Sequence, residues 1–216
     1  MTPVIHKSPP PRKRTVLAVD DVSEMLLTIK LILKDQYELC LAKSADAAKQ
    51  VLTRTGVDLI LLDIDMPEMN GFEFLAWLRG SGEWQDIPVI FVTATATREF
   101  ITRAIAAGAR DYIAKPVRPT VLLKKVDDAF IEPFLSRLVE LEELCATGRD
   151  DQAAAVLEAV RGEYMYLGRT FETSSLLDEI TTLVNQLRDF PAAALKTREL
   201  MEELKSGGPY ASIPAQ

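Results

Sequence analysis

The chain has 216 residues, of which 48% are hydrophobic, and a formal net charge of −7. This length accommodates one domain of ordinary size and a smaller one. The single histidine, His6, excludes histidine-rich metal sites, catalytic triads and phosphorelay histidine domains from the folded part. No apolar run approaches the length of a signal peptide core or a membrane-spanning helix, so we expect a cytoplasmic protein that does not enter a membrane.

The distribution of charge and the two cysteines indicate which partners and which covalent cross-links to expect. Residues 1–14 are rich in proline and carry four basic and no acidic side chains, which predicts a disordered tail. Residues 133–216 carry 8 basic and 14 acidic side chains, whereas a DNA-binding module needs a basic face. Cys40 and Cys145 lie in apolar surroundings, and we expect both to be buried, reduced thiols. We therefore expect no DNA partner and no disulfide framework.

Between residues 15 and 131, five apolar runs alternate with five helical patterns. The predicted strands are 15–19, 37–41, 57–62, 87–93 and 110–114. The predicted helices are 22–33, 45–52, 72 to about 80, 97–107 and 120–131. Ser44 is suited to cap the second helix and Gly108 to end the fourth, while Glu132-Pro133 is expected to break the last. This alternation predicts an α/β fold with a flavodoxin-like five-stranded parallel sheet, in the order 2-1-3-4-5.

The stretch from Asp58 to Gly71 reads D-L-I-L-L-D-I-D-M-P-E-M-N-G. Its four consecutive apolar residues, 59–62, are typical of a strand that is covered on both faces. Asp63 stands where this strand ends, and Pro67 and Gly71 indicate a loop over residues 65–70. Ligands of open α/β sheets bind beyond the carboxyl ends of the strands, so Asp63 is placed for chemistry.

Several other polar residues end neighbouring strands. In the predicted order strands 1 and 3 are adjacent, so Asp20, Asp21 and Asp63 should converge. Their mutual repulsion predicts a hard divalent cation, and all-oxygen ligation suits Mg²⁺. Thr93 ends strand 4 and Lys115 ends strand 5. A metal, an ammonium and a hydroxyl around a nucleophilic carboxylate can hold a phosphoryl group, with Asp63 as the nucleophile.

Four short motifs stand at these strand ends: V-D-D at 19–21, L-L-D-I-D-M-P at 61–67, V-T-A at 92–94 and Y-I-A-K-P at 112–116. With them, residues 15–131 resemble the CheY-like receiver domain of two-component response regulators. The resemblance implies that a sensor histidine kinase phosphorylates Asp63. It also implies a phosphoacceptor rather than an enzyme, with self-catalysed phosphoryl transfer and autodephosphorylation only.

The resemblance further implies a role for each site residue. Asp21 would ligate Mg²⁺ directly with Asp63 and the main-chain carbonyl of Asp65, and Asp20 would act chiefly through water. Thr93 and Tyr112 would be the switch residues, and Lys115 the partner of the phosphoryl group. The Lys115–Pro116 bond is expected to be cis.

Residues 133–205 are predicted to form a helical output or interaction domain, followed by a flexible tail at 206–216. Its predicted helices are 134–145, 152–160, 176–187 and 192–204, with a partly helical stretch at 164–171. The segments 148–157 and 187–196 match weakly at a distance of 39 residues, each where a helical hairpin turns. A pair of tetratricopeptide-like hairpins, a four-helix bundle and a helical dimerisation module all remain possible readings.

The C-terminal region contains no G-G-D-E-F-like string, no histidine pair, no Walker loop and no basic recognition helix. We therefore expect it to bind a downstream protein or a second copy of the chain. Two other interpretations stay open: a receiver that acts as a constitutive scaffold without cycling phosphate, and a haloacid-dehalogenase-type phosphatase. The second is disfavoured because its D-x-D motif follows strand 1, whereas here D-x-D follows strand 3.

Overall fold

The computed structural model describes residues 13–164 and 171–206. The chain divides into two compact units, with the division between Glu132 and Pro133. Most of the predicted terminal tails and of the stretch at 164–171 lies outside the described residues. Among the described residues, no helix is both long and apolar enough to cross a bilayer.

The first unit is the predicted α/β fold. Its parallel strands are β1 (Thr15–Val19), β2 (Glu38–Ala42), β3 (Leu59–Asp63), β4 (Val89–Thr93) and β5 (Asp111–Ala114), in the order β2-β1-β3-β4-β5. The helices between and after them are α1 (Ser23–Leu33), α2 (Ala45–Leu52), α3 (Gly71–Arg79), α4 (Arg98–Ala106) and α5 (Pro119–Ala146). The predicted fold class and strand order are confirmed, and apart from the end of α5 every boundary lies within two residues of its prediction.

The three central strands are buried along their whole length, whereas β2 is partly exposed at the edge of the sheet. On one face Leu17, Ile60 and Phe91 are fully buried and belong to one cluster with Leu75 and Leu78 of α3. Burial on both faces explains why these strands read as continuous apolar runs. The packed sheet is a firm support for the side chains that follow its carboxyl ends.

Helix caps fix where α2 and α3 begin. The Ser44 hydroxyl accepts a hydrogen bond from the Ala47 amide at 3.2 Å, as predicted. Asn70 caps α3 by accepting from the amides of Phe72 and Glu73, while the Glu73 carboxylate accepts from the Asn70 amide. This reciprocal capping box was not predicted, although the N-x-x-E spacing at 70–73 is its signal. It determines the position at which α3 starts after β3.

The prediction that Pro133 ends the last helix of the first unit is wrong. Helix α5 continues through Pro133 to Ala146. A proline inside a helix costs about 3 kcal/mol because it removes a hydrogen bond and crowds the preceding turn. Beyond it, Phe134, Leu138 and Leu141 are 1% exposed or less. Burial of such side chains contributes about 1.5–3 kcal/mol each, which offsets the cost of the proline.

The second unit is all-helical, as predicted. After the end of α5 it contains α6 (Asp150–Tyr164), α7 (Phe171–Thr182), a π-helical turn (Leu183–Leu187) and α8 (Phe190–Ser206). Apolar side chains from all four helices form one core, among them Leu141, Leu157, Ile180 and Leu200. Four helices around a common core explain the repeating apolar positions in this part of the sequence.

The turns that lead into α6 and α8 have the same backbone geometry. Gly148 and Arg188 both adopt positive φ angles, of 66° and 54°. The buried positions that follow also correspond at a distance of 40 residues: Ala153 and Ala193, Leu157 and Thr197, Val160 and Leu200. The spacing of the sequence match, 39 residues, is therefore one residue shorter than the spacing of the corresponding structural positions. A π-helical turn holds one more residue than an α-helical turn. The π-helical segment 183–187 lies directly before Arg188 and provides this additional residue.

Arg188→Gly should stabilise the helical unit. A residue with a Cβ is strained in the left-handed conformation that Arg188 adopts, and we expect a gain of about 0.5–1 kcal/mol in the free energy of unfolding. The measurement is urea unfolding followed by far-UV circular dichroism. Arg188→Ala retains the Cβ and should show no gain. Both tryptophans lie in the first unit, so the urea midpoint of the tryptophan fluorescence transition should not shift. A gain in stability in Arg188→Ala as large as in Arg188→Gly would contradict this account.

The two cysteines should differ in reactivity. Cys145 is buried and burial raises its pKa to about 11, with a contribution from the charge of Asp150. Cys40, predicted to be buried, is only half-buried because it lies on the edge strand, although burial raises its pKa as well. At pH 8 the Cys145 thiol is therefore almost entirely protonated and unreactive.

A thiol reagent should therefore label Cys40 of the native protein first. Cys145 should react only as fast as the helical unit unfolds, and should become as reactive as Cys40 in urea. Peptide mapping after timed labelling measures both rates. Equal labelling of the two thiols in the native protein would show that the burial of Cys145 is not maintained in solution.

Candidate functional site

Three carboxylates meet at the carboxyl edge of the sheet. Asp20 follows β1 and Asp63 ends β3, and these strands are hydrogen-bonded neighbours. Asp20, Asp21 and Asp63 each offer a carboxylate oxygen within 4.8 Å of the others. Asp20 and Asp63 are 1% and 4% exposed, whereas Asp21 is exposed. The convergence that the strand order predicts is therefore present.

The Lys115 ammonium joins the two buried acids. Its Nζ donates to Asp63 Oδ1 at 2.6 Å and to Asp20 Oδ2 at 2.9 Å. The Lys115 amide donates to the Thr93 carbonyl at 2.7 Å, which places the end of β5 beside the end of β4. Because breaking a buried ion pair leaves an uncompensated charge, Lys115 is essential to the electrostatic balance of these acids.

The environment shifts the pKa values of two members of this group. Burial raises the pKa of Asp63, while the hydrogen bond from Lys115 acts in the opposite direction. Burial lowers the pKa of Lys115, but its hydrogen bonds to Asp63 and Asp20 outweigh that effect, so its pKa is raised. The lysine is thus a permanent cation beside a carboxylate that is costly to keep charged.

Main-chain groups hold the Asp20 carboxylate in place. Asp20 Oδ1 accepts a hydrogen bond from the Val22 amide at 2.9 Å, and the Asp20 amide donates to the Ala42 carbonyl at 3.1 Å. One carboxylate oxygen therefore binds the backbone and the other binds Lys115. The role of Val22 could not be predicted from the sequence, because only its main-chain amide takes part.

The two predicted switch residues lie in neighbouring strands: Thr93 ends β4 and Tyr112 lies in β5. Thr93 is 1% exposed, and its hydroxyl donates to the Thr95 carbonyl and accepts from the Thr95 amide, both at 3.0 Å. Tyr112 is half-buried, and its ring lies edge-on to Phe100 with 6.2 Å between centroids. The Lys125 ammonium lies 5.4 Å from the centre of the Tyr112 ring. Both residues contact α4, α5 or the loop before α4, which are separate elements from those that hold the three acids.

The loop after β3 contains the remaining predicted residue, Asp65, whose side chain is exposed. The Gly71 amide donates to the Ile64 carbonyl at 2.9 Å and closes this loop. The Lys115–Pro116 peptide bond, at the end of β5, is cis as expected. The three carboxylates and Lys115 thus form an anionic group with one cation, and oxygen donors of this type fit Mg²⁺.

Comparison with known proteins agrees with this geometry. Residues 16–127 match the family model described as "Response regulator receiver domain". A chemotaxis protein CheY homolog from Campylobacter jejuni is 34% identical over 116 residues, which cover 52% of this chain and 89% of that protein. A crystal structure of CheY4 from Vibrio cholerae superposes with a TM-score of 0.53 at 29% identity, over 55% of this chain and 99% of that one.

Other similar proteins are much longer than the matched region. The alginate biosynthesis transcriptional regulatory protein AlgB of Pseudomonas aeruginosa is 34% identical over 68% of this chain and 34% of its own length. A probable cyclic di-GMP phosphodiesterase of Vibrio cholerae is 35% identical over 52% of this chain and 25% of its own length. The chain thus spans about a quarter to a third of these two relatives.

The family match covers just over half of the chain, and it coincides with the sheet, the three carboxylates and Lys115. The chain therefore belongs to the response regulator receiver domain family of two-component systems.

Proposed function

We propose that this protein is a response regulator that a sensor histidine kinase phosphorylates on Asp63 in a Mg²⁺-dependent reaction. It passes the signal on through its helical unit, by binding a downstream protein or a second copy of itself. The observation that carries the proposal is the buried Asp63 carboxylate, held by Lys115 at 2.6 Å beside two further acids. A single buried carboxylate paired with a lysine would be a structural ion pair, whereas three acids leave an excess of negative charge for a cation.

The proposed reaction is a phosphoryl transfer between nitrogen and oxygen. A carboxylate oxygen of Asp63 attacks the phosphorus of the kinase phosphohistidine. The new O–P bond forms as the P–N bond breaks, and the imidazole nitrogen leaves with the electron pair. Water later attacks the acyl phosphate, which releases inorganic phosphate and restores the carboxylate. The Lys115 ammonium is already within hydrogen-bond distance of Asp63 and can neutralise an oxygen of the transferred group.

The residues that would hold Mg²⁺ are Asp20, Asp21, Asp63 and the main-chain carbonyl of Asp65. When bound, the ion neutralises the crowded acids and the oxygens of the phosphoryl group. Asp20 is already bonded to Val22 and Lys115, which agrees with a supporting role for this residue. Exposed Asp21 is the acid with the most freedom to turn towards an ion.

The switch to the active state would start at Thr93. Phosphorylation adds about −1.5 to −2 charges and three acceptor oxygens at the end of β3. The Thr93 hydroxyl, now bonded to the Thr95 backbone, would exchange that partner for a phosphoryl oxygen. Tyr112 would then turn into the vacated space and change the surface formed by α4, β5 and α5. Such a local exchange can bias a two-state element.

The output would be protein binding rather than DNA binding. Residues 133–216 carry 14 acidic and 8 basic side chains, an unfavourable balance for contact with phosphates. AlgB is named as a transcriptional regulatory protein, but this chain spans only 34% of it. An electrophoretic mobility assay with nonspecific duplex DNA at low salt tests this part directly, and binding there would contradict it.

Asp63→Asn should abolish covalent labelling by radioactive acetyl phosphate in the presence of Mg²⁺. The amide cannot act as the nucleophile, while its size and the buried environment are preserved. Asp65→Asn is the matched control, because only its main-chain carbonyl has a proposed role; it should still be labelled. Label in Asp63→Asn would refute the choice of nucleophile. Failure to label the wild type would favour the constitutive scaffold.

Removal of Mg²⁺ with EDTA should stop the labelling, and Asp21→Asn should raise the Mg²⁺ concentration needed for half-maximal rate by about ten-fold or more. The loss of one negative charge weakens the attraction for the ion without touching the nucleophile. Asp46→Asn removes an exposed acid in the first turn of α2 and should leave the Mg²⁺ requirement unchanged. Equal Mg²⁺ requirements in the two variants would show that Asp21 does not bind the metal.

A further inference from the structure

We propose that Gly71 is a positioning residue for phosphoryl transfer, because its missing side chain allows the first turn of α3 to pack directly on the backbone of Asp63. The inference rests on the proposed function, since it concerns how the phosphoacceptor is held. Gly71 is buried, and it is the first residue of α3. Its contacts determine how the backbone leaves β3 and therefore where the Asp63 carboxylate points.

The three atoms nearest to the space beside Gly71 all belong to the main chain. A Cβ placed on Gly71 would lie 2.4 Å from the Asp63 carbonyl oxygen, 2.9 Å from Ile64 Cα and 3.2 Å from the Asp63 carbonyl carbon. Real Cβ atoms essentially never show contacts under 3.0 Å. All three neighbours are backbone atoms, which cannot rotate away as a flexible side chain can. A methyl group at this position must displace the peptide between Asp63 and Ile64.

Gly71 is required for space rather than for its backbone conformation. Gly82, Gly108 and Gly148 adopt positive φ angles of 73°, 85° and 66°, where a Cβ is strained. Gly71 is outside that region, so alanine could adopt its φ angle. The cost of a side chain at Gly71 therefore comes from its contact with the phosphoacceptor, which is unusual among the glycines of the described chain.

Hydrogen bonds keep this close contact from opening. The Gly71 amide donates to the Ile64 carbonyl at 2.9 Å. The neighbouring Asn70 side chain accepts from the amides of Phe72 and Glu73, at 3.0 and 3.1 Å. Both ends of the loop over residues 64–70 are thereby anchored against one another. The Asp65 carbonyl, a proposed Mg²⁺ ligand, lies inside this anchored loop.

A displaced Asp63 backbone would weaken the geometry of the whole site. The Asp63 carboxylate now lies 2.6 Å from Lys115 Nζ and within 4.8 Å of the oxygens of Asp20 and Asp21. Misplacement of a reacting group by about 1 Å can cost on the order of 100-fold in rate. A single methyl group at Gly71 should therefore act on the reaction although it contacts neither phosphate nor metal.

The experiment compares Gly71→Ala with Gly80→Ala in the full chain. Gly80 ends the same helix, and a Cβ there would meet nothing closer than the carbonyl oxygens of Ala76 and Trp77 at 3.6 Å. The readout is the initial rate of labelling by acetyl phosphate at saturating Mg²⁺, divided by the folded fraction from circular dichroism. Gly71→Ala should lower this rate by about ten-fold or more, and Gly80→Ala should change it by less than about two-fold.

A second pair of variants decides the matter if Gly71→Ala does not fold. Asn70→Ala removes the cap of α3 without adding an atom beside Asp63, and Ser44→Ala removes the cap of α2. Each should cost about 1 kcal/mol of stability. Asn70→Ala should lower the rate per folded molecule by about three-fold or more. Ser44→Ala should not, because α2 follows the edge strand β2, whereas Asn70 lies in the loop that follows Asp63.

The outcomes separate the inference from the proposed function. A folded Gly71→Ala with the wild-type rate per folded molecule overturns the inference and leaves the function intact. If that variant is unfolded, equal rates in Asn70→Ala and Ser44→Ala overturn it. A lower folded fraction with an unchanged rate per folded molecule shows a merely structural role and also overturns it. No labelling of the wild type itself refutes the proposed function instead.

Discussion

The structure of the site depends on one lysine ammonium placed between two buried carboxylates. Lys115 Nζ donates to Asp63 at 2.6 Å and to Asp20 at 2.9 Å, and a third acid, Asp21, lies next to them. Asp20 follows β1, Asp63 ends β3 and Lys115 follows β5. Asp21 is the next residue after Asp20. The parallel sheet supplies the alignment, because all its strands end at the same edge. Without the lysine, both buried carboxylates would lose their ion pair.

A group of charges held in this way stays only partly balanced. One ammonium faces three carboxylates, and this excess of negative charge is the basis of the proposal that a cation binds here and allows an anionic phosphoryl group to approach. In the proposed mechanism a change in charge at Asp63 would act on Lys115, which donates a hydrogen bond to it, and on Thr93, which ends the neighbouring strand β4. The backbone of Gly71 packs closely on that of Asp63. This contact matters because the distances between the charges depend on the position of the Asp63 backbone.

Much of the fold and the site could be predicted because their signals are local. Apolar runs that are covered on both faces, such as the one before Asp63, indicate buried parallel strands, and the order of elements limits the topology to a few choices. The polar residues that follow those runs then meet at one edge. Ser44 and Gly108 could be assigned from residue type alone, since capping and left-handed turns have strong residue preferences.

Features that depend on packing between distant segments could not be predicted. The passage of α5 through Pro133 follows from the burial of Phe134 and Leu138 against other helices, which outweighs a strong local signal. The extra residue in the π-helical turn shifts the second hairpin by one position relative to the sequence match. The contact between Gly71 and Asp63 joins residues eight apart through backbone atoms, and residue types alone do not reveal its tightness.

The most direct measurement of the central claim is to locate the phosphoryl group chemically. The protein is treated with acetyl phosphate and Mg²⁺, reduced with borohydride, which converts an aspartyl phosphate to homoserine, and digested for mass spectrometry. The account predicts homoserine at position 63 and at no other carboxylate. Modification at Asp20, Asp21 or Asp65 in place of Asp63 would contradict it.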